Sequence, residues 1–160
     1  MRMSEGVEWA LHSCVNLAWM EGQAVTAAKL AAIYGLPAAY LNKQLQALAK
    51  AGILTSTSGP RGGFRLAREP DRITLLDVVT AIEGAEDAFR CEQILRNGPS
   101  ADPEIDYRRT CAISIAMRKA ELAWRRELAG QTIADILAQV GRTAPAAASN
   151  VRSWFANVRP

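Results

Sequence analysis

The sequence predicts a mainly α chain with a small β-wing, a winged helix-turn-helix domain followed by a long C-terminal helix. Apolar residues recur at helical spacing along most of the chain. Two helical segments meet at the short turn Gly35-Leu36-Pro37. Directly after them, two strand-like runs flank Gly59-Pro60-Arg61-Gly62-Gly63, the composition of a hairpin turn.

Bulk properties bound the rest. A chain of 160 residues, 49% hydrophobic, can bury one core, as one domain or one domain plus an arm. A net charge of +3 is compatible with a nucleic-acid partner but does not specify one. No stretch reaches the roughly 18 uninterrupted apolar residues of a membrane span. The N-terminus also lacks a signal-peptide apolar region and cleavage site. The expectation is a cytoplasmic protein with no membrane partner. The three cysteines, Cys14, Cys91 and Cys111, are too few for a secreted disulfide framework. In a reducing compartment they are structural, ligands or redox-active. An enzyme is not expected: His12 is the only histidine, and no nucleophile–base arrangement or glycine-rich phosphate loop stands out.

The first helix is expected from about Ser4 to Glu21, with Val7, Leu11, Cys14, Val15 and Ala18 as its buried stripe. Glu8, His12 and Trp19 fall on one flank of that stripe, so Glu8 and His12 lie one turn apart on one face. Cys14 lies in the stripe itself and reads as a small hydrophobe. A second helix fits residues 26–35, with Thr26 as N-cap and Gly35 as its stop. A third ends at Gly52, with Tyr40, Leu41, Leu45 and Leu48 inward and Asn42, Lys43 and Gln46 outward. Alone, this pair is equally a helix-turn-helix or an ordinary helical hairpin. The runs Ile53–Thr57 and Phe64–Ala67 decide it, because a hairpin directly after a helix-turn-helix is a wing. Arg61 at its tip, with Arg65 and Arg68 beside it, can meet phosphates or a narrow minor groove. Thr74 caps a further helix that ends at Gly84. Loop-like residues follow, bracketed by Cys91 and Cys111. From Ala112 a long helix carries Ile113, Met117, Ala120, Trp124 and Leu128 near heptad spacing, a stripe suited to a partner subunit or to its own core. A short amphipathic segment and an alanine-rich end that docks weakly or frays complete the chain.

The segments "YLNKQLQALAKAGIL", "GPRGGFRLA" and "ITLLDVVTAIEG", with the cysteine-bearing segment after them, resemble the bacterial winged-helix regulators typified by IscR, NsrR and RsrR. The likeness spans roughly residues 1–138. It implies a homodimeric transcription regulator that binds a double-stranded DNA operator and pairs through its long helix. IscR-like and NsrR-like members usually place three cysteines between the domains, whereas this chain has only Cys91 and Cys111 there. That is closer to the RsrR type. There, two cysteines of one subunit and a Glu and a His of the partner's first helix hold a 2Fe–2S cluster. Glu8, His12, Cys91 and Cys111 match those ligand positions. Thiolates suit iron–sulfur clusters, and an imidazole ligand raises their potential. Trp9 stands where it can shield the cluster or signal its state, although a helical tryptophan also simply packs.

The resemblance puts the third helix in the major groove, with Ala38, Ala39, Asn42, Lys43 and Gln44 as its outward positions. Relatives often carry Ser and Glu where this chain has Ala39 and Asn42, which implies a different base preference. Many also carry Arg where Ser58 stands, which puts more weight on Arg61. Lys29 is an expected phosphate contact. The implied organisation is a DNA-binding domain over 1–84, a cluster-binding loop over 85–111, a dimerisation helix and short helix over 112–140, and a tail over 141–160. The expected function is redox sensing through a 2Fe–2S cluster between subunits. Two rivals stand beside it: a cluster-free regulator of the same fold, switched by a Cys91–Cys111 disulfide or a small ligand, and an adaptor that no longer binds DNA.

Overall fold

The apolar stripe of residues 7–18 folds as one face of α1 (Glu5–Trp19) in this computed structural model, which describes residues 3–158. Val7, Ala10, Cys14 and Leu17 on that face are buried. α2 (Ala27–Ala32) begins where the Thr26 hydroxyl accepts the Lys29 backbone N–H at 3.3 Å. It stops at Gly35, whose φ of +65° lets the chain reverse into the turn. Pro37 then opens α3 (Ala38–Lys50). Its inner face is Leu41, Gln44, Leu45 and Leu48, four residues within one arc of the helical wheel.

That arc corrects two expectations. Tyr40 does not face inward: it is 43% exposed, at the edge of the face, with its ring against Trp9. Gln44 does not face outward: it is 8% exposed, and its amide packs over Gly6 of α1. A side chain at Gly6 would meet that amide at 3.0 Å, so the missing Cβ makes room for it.

The expected hairpin is present. β1 (Leu54–Thr57) pairs antiparallel with β2 (Gly63–Leu66), Leu54 opposite Leu66 and Thr57 opposite Gly63. Phe64 also exchanges backbone hydrogen bonds with Val25, at 2.8 and 2.9 Å, so the wing is tied to the segment that leads into α2. Arg68 is not free beside the wing tip. Its guanidinium donates to the Arg72 carbonyl at 3.1 Å and lies 3.6 Å from the Asp77 carboxylate.

α4 (Leu75–Glu83) starts in a reciprocal capping box between Thr74 and Asp77 and ends at Gly84, φ +92°. A loop, with the short turn α5 (Tyr107–Thr110), leads to α6 (Ala112–Ala129). The chain then returns to the segment that leads into α4. The N–H of Ile133 donates to the Ile73 carbonyl, and the N–H of Leu75 to Gln131, each at 2.9 Å. This return starts α7 (Ile133–Thr143), whose Ile133 is fully buried. The chain end expected to fray or dock weakly instead forms α8 (Ala147–Asn157), with Phe155 buried in the same core as Leu17, Leu30 and Phe64. Among the described residues, no helix is long and apolar enough to cross a membrane.

Candidate nucleic-acid interface and cysteine loop

With Gln44 turned inward, the outer face of α3 presents Ala38, Ala39, Asn42, Lys43 and Gln46, all exposed. Gln46 was legible from the 100° spacing and takes the outward place expected of Gln44. An Asn or Gln side chain on such a face can pair with adenine, and Lys with guanine or phosphate. The wing exposes Arg61 in its turn and Arg65 on β2. Lys29, on α2, is half-buried. The wing turn is held by glycine. A Cβ at Gly62 would lie 2.2 Å from the Thr57 carbonyl oxygen, and one at Gly63 2.6 Å from the Val25 carbonyl. A small turn thus carries Arg61 outward with little freedom to move.

Three contacts join α1 to this surface. Trp9 meets Tyr40 of α3 edge-on, ring centres 5.2 Å apart. His12 meets Tyr34, at the end of α2, at 5.6 Å. The Tyr34 hydroxyl in turn donates to and accepts from the buried Asn16 side chain, at 3.3 and 3.2 Å. The pairing of Asn16 with Tyr34 had no signal in the sequence, because it joins residues 18 positions apart across two helices.

Glu8 and His12 are exposed on α1, one turn apart as their spacing predicts. The other two candidate ligands, Cys91 and Cys111, belong to a different part of the chain, the loop around Tyr107. The Cys91 thiol points at the Tyr107 carbonyl oxygen at 4.0 Å, and the Cys111 N–H donates to that same oxygen at 2.9 Å. Tyr107 is the buried centre of this loop. Its hydroxyl accepts the Asp102 N–H at 2.8 Å and donates to the Ser100 carbonyl at 3.4 Å. Arg125 of α6 fastens the start of the loop by donating to the carbonyls of Ala85 and Glu86. Cys91 and Cys111 are free thiols and partly exposed. Cys14, also free, lies in the core, where burial pushes its pKa up to about 12. Among the described residues of one chain, no three His, Cys, Asp or Glu side chains come close enough to share a metal ion. The donor types fit an iron–sulfur cluster, but within one chain only as two separate halves.

α6 leaves Ile113, Ile115, Met117 and Leu122 exposed, Ile113 at 66% and Leu122 at 56%. Of the expected stripe, Trp124 and Leu128 are half-buried, while Ile113, Met117 and Ala120 face solvent.

A two-helix reading head, a tied wing and a basic, glycine-held turn define a winged helix-turn-helix transcription regulator. Residues 3–139 match the family model Rrf2, described as an iron-dependent transcriptional regulator, and the chain belongs to that family. Among curated relatives, the chain is 38% identical to a helix-turn-helix transcriptional regulator of Aquifex aeolicus over 95 residues, 59% of this chain and 64% of that protein. It is 31% identical to protein aau3 of Rhizobium meliloti over 137 residues, 86% of this chain and 85% of that one. Two solved structures share the fold. T. potens IscR has a TM-score of 0.65 at 23% identity, covering 90% of this chain and 91% of its own. CymR, the global cysteine regulator of B. subtilis, has 0.64 at 21%, covering 87% and 98%. The α8 helix lies beyond the family match.

Proposed function

We propose that this transcription regulator works as a homodimer and senses redox state through a 2Fe–2S cluster shared between subunits. Cys91 and Cys111 of one chain supply the thiolates, and Glu8 and His12 of the other supply a carboxylate and an imidazole. The observation that carries the reading is the division of the donors: Cys91, through its thiol, and Cys111, through its backbone N–H, share the Tyr107 carbonyl as free cysteines of one loop, while Glu8 and His12 stand exposed one turn apart on α1. The exposed apolar side chains of α6 support pairing of two chains. Held by Cys91, Cys111, Glu8 and His12, such a cluster would supply one-electron exchange with a redox partner, and with it a change in the net charge at these ligands.

The chain's own residues carry the response. His12 touches Tyr34 at the end of α2, and Trp9 touches Tyr40 on α3. A shift of α1 on ligation therefore bears on both helices of the reading head. Because half-sites lie about one helical turn of DNA apart, a small rotation of either head changes the fit. A differential of about 1–3 kcal/mol suffices for a five- to hundredfold change in occupancy. In the bound complex Ala39, Asn42, Lys43 and Gln46 face the bases, Lys29 a phosphate, and Arg61 and Arg65 the groove beside the wing. Gln44, buried, supports α3 from behind.

The test is the visible absorption of protein purified without oxygen, with iron and acid-labile sulfide assayed on the same sample. The reading expects colour, equal iron and sulfide, bleaching by dithionite, and loss of all three in His12→Ala. A protein that stays colourless after reconstitution with iron and sulfide contradicts it.

A second reading has its own support. The Cys91 thiol and the Cys111 backbone N–H share one carbonyl, which holds the two residues in one loop, and a two-electron oxidant that joined their thiols would form a disulfide with release of two protons and no metal. In that case Cys91→Ser abolishes the redox response of DNA binding, and His12→Ala leaves it intact.

A further inference from the structure

α8 docks where α1 ends and α2 begins. Phe155 inserts into the core, and Arg152, one turn earlier, reaches the C-terminal end of α1, its guanidinium 3.5 Å from the Trp19 carbonyl oxygen. Arg152 also lines a cleft of about 350 Å³ together with Lys29, Gln23 and Val25. Val25 of this cleft pairs with the wing residue Phe64. Two cations from opposite ends of the chain thus share one open cleft beside the wing anchor. One anion is present: Glu21 lies 3.8 Å from Arg152, with Glu21 80% and Arg152 47% exposed. That contact is long and open to water, so it is screened and easily exchanged for another anion.

We propose that Arg152 is a DNA phosphate contact, and that α8 thereby extends the backbone-gripping edge of the reading head beyond the part of the chain that the family shares. The inference rests on the reading of Lys29 as a phosphate contact. A phosphodiester placed at Lys29 lies in the cleft that Arg152 also lines. The guanidinium then leaves Glu21 and donates to a phosphate oxygen, while Phe155 keeps α8 anchored. Such a contact adds affinity and salt dependence without base preference.

The experiment is a titration of a fluorescein-labelled 25-base-pair duplex of random sequence by fluorescence anisotropy, across a series of KCl concentrations. Lys29→Gln and Arg152→Gln are each expected to lower the slope of log K against log [KCl] by about one per bound protomer. Arg152→Lys keeps the charge but weakens the fork to the Trp19 carbonyl, and is expected to keep the wild-type slope. Far-UV circular dichroism confirms that each variant is folded. A wild-type slope in Arg152→Gln beside a lowered slope in Lys29→Gln overturns the proposal and leaves the DNA surface standing, with Arg152 only a latch on α1. A wild-type slope in both variants removes this cleft from the DNA surface altogether. A slope lowered as much in Arg152→Lys as in Arg152→Gln also overturns it, because the latch and not the charge is then at work.

Discussion

A Cβ at Gly63 would lie 2.6 Å from the carbonyl carbon and oxygen of Val25, at a φ of +138° that side chains other than glycine rarely adopt. The wing cannot tilt away to relieve this, because Phe64 is bonded to Val25 on both backbone atoms. Gly63→Ala is expected to cost about 2 kcal/mol or more, read as a lowered denaturation midpoint, and to weaken DNA binding as Arg61 shifts. Tyr34 holds the two polar atoms of buried Asn16. Tyr34→Phe leaves that amide without its partner and is expected to cost about 1–3 kcal/mol by the same measurement. Cys14 gives a pH dependence. Its folded pKa, pushed up to about 12 by burial, stands above the ordinary value of 9.0. The folded state therefore keeps the proton longer than the unfolded chain. Stability from this group is whole below pH 9 and is lost as pH rises toward 12. The unfolding free energy of the wild type should fall more steeply above pH 9 than that of Cys14→Ala. At neutral pH a thiol reagent should label Cys91 and Cys111 in the folded, cluster-free protein, and Cys14 only after unfolding.

Among the elements, the reading head and wing were the most legible in the sequence. Thr26, Gly35, Thr74 and Gly84 are local signals, and each does in the structure what its residue type dictates at that place. The apolar faces of α1 and α3 were legible in their centres. They failed at their edges, where a few tens of degrees decide whether a residue is covered. Tyr40 stays out because Trp9 offers its ring an edge, and Gln44 goes in because Gly6 leaves a hole. Both depend on a neighbouring helix, which no local pattern contains. The chain end was read as weak because it is rich in alanine. Its order comes from Phe155 finding a place in a core built by residues far away in sequence. Phe155→Ala is expected to cost about 3 kcal/mol or more in stability. The candidate ligands were legible only as residue types matched to a family. That the Cys91 thiol and the Cys111 N–H share the carbonyl of Tyr107 depends on the loop around it. α6 carries its own prediction. Exposed Ile113 and Leu122 are costly to leave in water, so the chain should sediment as a dimer at micromolar concentration. Leu122→Glu should weaken that association at least tenfold.

The whole molecule joins a surface suited to DNA with a thiol loop and a basic chain of net charge +3. Under the proposed function, a complete four-ligand redox site forms only between two chains. Mixing two defective chains tests this most directly. His12→Ala lacks the imidazole, and Cys91→Ser lacks a thiolate. In a mixed dimer one of the two shared sites recovers all four ligands. The measurement is visible absorbance with iron and sulfide content, taken on each variant alone and on the two co-expressed and purified as a mixed dimer under nitrogen. The account predicts colourless single variants and a mixed dimer holding about half the wild-type cluster. A mixed dimer as colourless as its parents, beside a coloured wild type, would place all the ligands in one chain and contradict it.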